Sequence, residues 1–129
     1  MQRRLATICL VVRDYDEALG FYRDALGFQV VEDTDIGNGR RWVVVSPGPG
    51  GAALLLAKAS DAAQTARIGD QTGGRVGFFL QTDDFSRDHA AMLARGVRFL
   101  EAPRHEPYGT VAVFEDLYGN RWDLLERKG

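Results

Sequence analysis

The sequence predicts an α+β fold of two βαβββ repeats, whose curled mixed sheets surround a cleft. Short runs of β-branched and aromatic residues alternate with turn residues, and two amphipathic helices each follow an acidic capping residue. The second half of the chain also repeats the first. Aligning VVRDYDEALGFYRDALGFQVVE with FLQTDDFSRDHAAMLARGVRFLE places Gly27 on Gly96 and Glu32 on Glu101. A unit with one helix covers one sheet face, so two units are expected to bury more surface together.

Length and composition favour one domain over residues 1–129. This length lies within the usual range for a single domain. The repeats divide it into repeat one at about 1–59, a linker at about 60–74 and repeat two at about 75–129. The hydrophobic content of 45% and the charged content of 26% are typical of a globular protein.

Charge and hydropathy exclude two classes of partner. The net charge is −2 and basic residues occur at most in pairs, which argues against nucleic acid binding. No apolar run approaches the roughly 20 residues that span a bilayer, so no membrane partner is expected. The lone cysteine, Cys9, lies in an apolar strand pattern and is expected to be buried. One cysteine cannot form an internal disulfide, so a reducing, cytoplasmic compartment is expected.

The first repeat begins with a predicted strand at Leu5–Val12. Asp14 then has the residue type and position of a helix N-cap, because its side chain can accept from free amides of the first turn. Apolar residues at helical spacing predict a helix over Tyr15–Leu26, which Gly27 ends. Three further strands are predicted at Phe28–Glu32, Trp42–Ser46 and Ala52–Ala57.

The second repeat follows the polar, glycine-containing linker at Ser60–Gly74. Its first strand is predicted at Arg75–Gln81, and Asp83 or Asp84 caps a helix that Gly96 ends. His89 lies on this helix and is expected at its surface or flank. The remaining strands are predicted at Val97–Glu101, Thr110–Glu115 and Arg121–Glu126.

The last two strands form the most informative part of the sequence. Turn residues between Asp116 and Asn120 predict a tight connection. In the closing strand, Trp122 and Leu124 alternate with Asp123, which puts the carboxylate on the face away from the core. Such a residue either lies in solvent or lines a concave site.

Two motifs resemble the vicinal oxygen chelate superfamily, which includes glyoxalases, extradiol dioxygenases and bleomycin- or fosfomycin-resistance proteins. They are VVRDYDEALGFYRDALGF at Val11–Phe28 and VAVFEDLYGNRWDLLE at Val111–Glu126. The resemblance implies a small-molecule cleft. In metal-dependent members, it also implies four divalent-metal ligands from the first and last strand of each repeat.

Carried over one by one, these ligand positions fall on residues that bind metal poorly. They fall on Thr7, on apolar residues within Ala53–Leu56, on Arg75 or Gly77, and on Asp123. Only Asp123 has suitable chemistry, because the ion requires several converging oxygen or nitrogen ligands. We therefore expect no cofactor, with a divalent ion in a rebuilt site as the alternative.

The resemblance also indicates which side chains line the cleft. Opposite charges at Arg75 and Asp123 suggest that these two residues neutralise one another or face a ligand. His105 and Tyr108 are expected at the rim. The candidate ligand-binding residues are Thr7, Trp42, Arg75, Phe79, Gln81, His105, Tyr108, Phe114 and Asp123.

Three functions remain open at the level of sequence. The first is a metal-free protein that binds a small molecule and forms a homodimer. The second is an enzyme, either a lactoylglutathione-lyase-like lyase or a dioxygenase, with a metal site rebuilt around Asp123. The third is a non-catalytic accessory module. The ligand positions favour the first function, because only one of the four carries a metal-binding side chain.

Overall fold

The computed structural model describes residues 2–129. Contacts divide the chain into two compact units, one ending at Ile68 and the other spanning Gly69–Gly129. Each unit combines one mixed β-sheet with helical segments, which confirms the predicted α+β class. Among the described residues, no helix has the length and apolar character needed to cross a bilayer.

The first unit contains a four-stranded sheet with the order β1-β4-β3-β2. Strands β1 and β4 pair in parallel, whereas the β2–β3 and β3–β4 pairs are antiparallel. Apolar residues on one face of this sheet form the core of the unit. The strands are β1 Thr7–Val12, β2 Gln29–Gly37, β3 Arg40–Ser46 and β4 Ala53–Lys58. The core residues include Leu10, Val12, Val43, Val45, Leu54 and Leu56.

Helix α1, Tyr15–Leu19, begins where the sequence predicts. The Asp14 carboxylate accepts a hydrogen bond from the Glu17 amide at 2.9 Å, which satisfies one free donor of the first turn. A short helix, α2 at Ala62–Thr65, follows β4 and is capped in the same way by Asp61.

The end of α1 differs from the prediction of a regular α-helix to Leu26. The segment Gly20–Ala25 is π-helical, and the Leu26 amide donates to the Phe21 carbonyl five residues earlier, at 3.0 Å. The wider turn stays well packed, because the Tyr22 side chain within it is fully buried. Gly27 then ends the helix with a φ of +75°, as its type predicts.

The second unit contains helix α3, Phe85–Ala94, and a five-stranded sheet. Four strands follow the order β5-β9-β8-β6, with β5 and β9 parallel, and the short β7 pairs with β8. Asp84 caps the helix by accepting from the Arg87 amide. The strands are β5 Val76–Gln81, β6 Arg98–Phe99, β7 Arg104–Glu106, β8 Gly109–Glu115 and β9 Arg121–Arg127.

Aromatic rings fill the face of the second sheet that α3 covers. Phe78 stacks on Trp122 with centroids 4.7 Å apart, and Trp122 lies 5.8 Å from Phe114. Phe99 extends the row at 5.5 Å from Phe114. Such pairs add to the stabilisation from burial itself, so this row is the centre of the second core.

The connection between β8 and β9 confirms the predicted turn. The Asp116 amide donates to the Asn120 carbonyl at 2.9 Å. The Asp116 carboxylate accepts from the backbone amides of Tyr118 and Asn120 and from the Asn120 side chain. These bonds fix the register of the two strands, in which Glu115 pairs with Arg121.

The strand predicted at Val97–Glu101 is shorter in the structure. Only Arg98 and Phe99 pair as β6, and the Leu100 amide makes one more bond to the sheet, to the Val113 carbonyl at 2.8 Å. Beyond them, the Glu101 side chain accepts from the Val113 amide at 2.9 Å and so occupies the place of a further strand bond. Strand β7 follows in a segment for which the sequence predicts no strand.

Candidate functional site

One face of the second sheet carries three of the predicted site residues. Phe79 pairs with Asp123 across the β5–β9 ladder, and Gln81 lies two residues further along β5. Neighbouring residues on paired strands share a face, so these three side chains lie on the side away from α3. We call this surface the Asp123 face. Phe79 is 64% exposed on it, which leaves an aromatic ring open beside a carboxylate.

The Asp123 carboxyl group is poorly solvated. Its Oδ1 atom is buried and has no hydrogen-bond partner within residues 2–129. Burial is the main cause that raises the pKa of Asp123 above the ordinary carboxyl value, with Arg104 opposing the shift and Glu101 adding to it. A buried acceptor without a donor is unfavourable, so a bound group that donates to this oxygen would relieve the penalty.

Arg104 and Glu101 form a charged group next to Asp123. Arg104 Nε donates to Glu101 at 2.9 Å and its Nη1 donates to Glu106 at 3.0 Å. The arginine holds the pKa of Glu101 below its usual range. Arg104 lies in the unpredicted β7, so alternation within the predicted strands gave no signal for it. Glu101 ends the strand predicted at Val97–Glu101, but it is not among the predicted site residues.

The raised pKa of Asp123 predicts how pH affects stability. The unfolded chain loses this proton near pH 3.8, and the folded chain loses it at a higher pH. The contribution of Asp123 to the free energy of unfolding is therefore greatest at low pH. It falls as the pH rises from the pKa of the unfolded state through the higher pKa of the folded state. We expect Asp123→Asn to become progressively more stable relative to the wild type as the pH rises from about 3 to 7, because the amide does not ionise. Urea unfolding across this range checks it, and a constant difference would contradict it.

The first sheet brings two other predicted residues to one face. The register Cys9–Leu55–Val44 runs across β1, β4 and β3. Thr7 lies on the same side as Cys9, and Trp42 on the same side as Val44, opposite the core face. Trp42 is 44% exposed. Cys9 is exposed as well, so the prediction that it is buried is wrong. Alternation alone cannot tell which face of a strand is covered.

Phe114 does not belong to the Asp123 face, and this prediction is wrong. It pairs with Trp122 in the β8–β9 register and is fully buried against the aromatic row. The residue of β8 that pairs with Asp123 is Val113. A shift of one residue in register moves every side chain to the other face, and the turn length decides the register.

His105 and Tyr108 lie on the β7–β8 hairpin. His105 pairs with Thr110, and its Nδ1 atom lies 3.3 Å from the threonine hydroxyl. Thr110 shares the face of Phe114, so His105 lies on the α3 side and not beside Asp123. Tyr108 is 45% exposed in the turn, and its hydroxyl group is one of the minor causes that raise the pKa of Arg104, after Glu101 and Glu106.

Arg75 precedes β5 and is exposed. Its carbonyl oxygen accepts from the Thr72 hydroxyl at 2.6 Å. The cation whose charge acts on Asp123 is Arg104, so the predicted neutralisation of Asp123 by Arg75 is wrong. Asp123 pairs with Phe79, and Arg75 lies four residues earlier, before the first paired residue of β5, so it is displaced along the strand from the carboxylate.

The residues present do not fit the metal site that the resemblance implies. Thr7 pairs with Ala53, and β4 is apolar from there to Ala57. Gly77 offers no ligand atom, and a Cβ there would lie 2.5 Å from the Thr72 methyl carbon, so a larger residue would require Thr72 to move. Within residues 2–129, no three His, Cys, Asp or Glu side chains are grouped to hold a metal ion.

Comparison with known proteins adds a family and several relatives. Residues 4–124 match the family model described as the glyoxalase/bleomycin resistance protein/dioxygenase superfamily. A relative from Shewanella frigidimarina (strain NCIMB 400), called an uncharacterized protein, is 54% identical. The match covers 98% of this chain and 95% of that protein.

Two solved structures resemble this chain over nearly its whole length. UcmS2 has a TM-score of 0.82 and 32% identity, with 97% of this chain and 98% of that chain covered. TnmS3, described as an antibiotic binding protein from Streptomyces sp. CB03234, has a TM-score of 0.79 and 27% identity. The match covers 98% of each chain.

Proposed function

The chain belongs to the glyoxalase/bleomycin resistance protein/dioxygenase superfamily, and on that premise we propose that it binds a small organic molecule without a metal ion. The observation that carries the proposal is the buried Oδ1 atom of Asp123, which has no hydrogen-bond partner among the described residues and lies beside the exposed ring of Phe79. The expected ligand has an aromatic or other flat apolar part for Phe79 and an O–H or N–H group for Asp123.

Two further observations support this function over a metal-dependent one. Of the four positions that metal-dependent members use, Asp123 alone has a metal-binding side chain. The likeness to TnmS3 favours an antibiotic as the ligand. The Asp123 carboxylate then acts as a hydrogen-bond acceptor, which is stronger in a desolvated site than in water.

A thermal-shift screen with aromatic antibiotics, followed by calorimetric titration of each hit, tests the proposal. We expect a bound compound to raise the melting temperature, because a ligand that binds only the folded state stabilises it. Asp123→Asn should weaken binding about tenfold, the effect of losing one charge-assisted hydrogen bond. Asp83→Asn, an exposed carboxylate paired with Arg87, serves as the matched control and should bind normally.

Elemental analysis of protein purified without a histidine tag completes the test. Stoichiometric divalent metal that Asp123→Ala removes would contradict the metal-free function and favour a lyase or dioxygenase with a rebuilt site. If no compound raises the melting temperature, the binding function fails and an accessory module is favoured.

We also propose that the protein is a cytoplasmic homodimer. Strand β2 is exposed along its whole length and carries the apolar side chains Val31 and Ile36, 62% and 54% exposed. Exposed apolar residues of this kind are typical of surfaces that a partner covers. Light scattering should give about twice the chain mass of 14.3 kDa, and a monomeric mass would contradict the dimer.

A further inference from the structure

A pocket of about 340 Å³ opens on the second unit, on the side of the sheet opposite the Asp123 face. Its volume lies within the range of small-molecule sites. It is formed where the first turns of α3 meet the β7–β8 hairpin. The residues that line it include Phe85, Ser86, His89, His105, Thr110 and Glu126.

Both histidines of the chain lie in this pocket. His89, expected at the surface or the flank of the helix, is half-buried. Its ring stacks on Phe85 at 5.2 Å and meets the edge of Phe99 at 4.5 Å. The ring contacts of His89 on α3 and the contact of His105 Nδ1 with the Thr110 hydroxyl on the hairpin place both imidazole rings in the lining of the pocket.

Glu126 gives the pocket its charge. One of its oxygens, Oε1, accepts from the Phe85 amide at 2.7 Å and so serves the first turn of α3. The Oε2 atom makes no hydrogen bond with any described residue. No lysine or arginine lines the pocket in the described part of the chain.

We propose that this pocket binds a small organic cation, such as an ammonium group attached to an aromatic ring. The carboxylate of Glu126 attracts the charge, and the hydroxyl oxygens of Ser86 and Thr110 can accept its N–H groups. The imidazole rings offer aromatic walls. An anion is disfavoured, because Glu126 and the Asp84 cap already occupy the donors at the positive end of α3.

The chain offers a direct measurement, since its two histidines are both in the pocket. We choose benzylamine as the probe and follow the two imidazole rings by long-range proton–nitrogen NMR at constant pH, in protein without a histidine tag. Benzylamine should shift both ring signals in a saturable way, and His105→Ala assigns them. Benzoate should give no saturable shift, and benzyl alcohol should bind about tenfold more weakly than benzylamine.

Glu126→Gln is the decisive variant. Glutamine keeps an oxygen acceptor for the Phe85 amide and removes the charge, so the fold is retained while benzylamine affinity falls about tenfold. Glu115→Gln removes a carboxylate that pairs with Arg98 outside the pocket, and it should bind benzylamine normally. The proposal is overturned if benzylamine gives no saturable shift, if benzoate binds equally well, or if Glu126→Gln binds unchanged.

The same titration separates this site from the proposed function. Asp123→Asn should bind benzylamine like the wild type, because Asp123 lies on the other face of the sheet. If Asp123→Asn abolishes the ring shifts while Glu126→Gln does not, benzylamine binds at the Asp123 face and the pocket proposal is wrong.

Discussion

Phe114→Ala is expected to lower the free energy of unfolding by about 3–5 kcal/mol, the usual loss for a buried phenylalanine. The side chain is fully buried and lies between Phe99 and Trp122, so its removal leaves a cavity in the second core. The surrounding rings belong to paired strands and cannot close around the space. Denaturant unfolding, monitored by circular dichroism, measures the loss.

Phe79→Ala is the matched control, with the same chemical change on the other face of the sheet. Phe79 is 64% exposed, so its removal should change the free energy of unfolding by less than about 1 kcal/mol. Phe79→Ala should, however, lower the affinity of the Asp123 face for its small-molecule ligand. Equal losses of stability in the two variants would contradict the assignment of the faces.

Gly109→Ala is expected to lower the free energy of unfolding by about 3 kcal/mol, from overpacking and backbone strain together. Gly109 is buried at the start of β8 with a φ of +150°. A Cβ there would overlap the carbonyl oxygen of Glu126 on the paired strand. The backbone on both sides is held by ladder bonds, so neither strand can move away.

Gly48→Ala provides the control for this prediction. Gly48 has nearly the same φ, +159°, but a Cβ there would meet no atom within 4 Å. It should lose only the strain contribution, about 1 kcal/mol. If both variants lose the same amount, the overlap with Glu126 is not the cause.

The elements that could be predicted are those whose cause is local. Asp14 and Asp84 cap helices because their carboxylates reach amides three residues away, and both contacts form. The Asp116–Asn120 turn follows from the same short-range chemistry. The sheet face that carries Asp123 could also be predicted, because Asp123 alternates with the core residues Trp122 and Leu124 in one strand.

The features that the sequence analysis missed depend on how one strand pairs with the next. The face of Phe114 follows from the register with β9, which the Asp116–Asn120 turn fixes and which alternation within β8 alone does not show. Closing this turn pairs Glu115 with Arg121, which puts Phe114 opposite Trp122. Arg104 and His105 lie in a short strand that only β8 stabilises, so no local pattern indicates which face each takes.

The π-helical segment Gly20–Ala25 has a consequence for how this chain can vary in length. A π turn holds one more residue than the α-helical turn it replaces, while the elements on either side keep their positions. The first helix therefore contains a position that evolution can delete without moving β2, because the turn contracts to α-helix. Helix α3 contains no π-helical segment, so deleting one of its residues would rotate all the residues that follow about the helix axis.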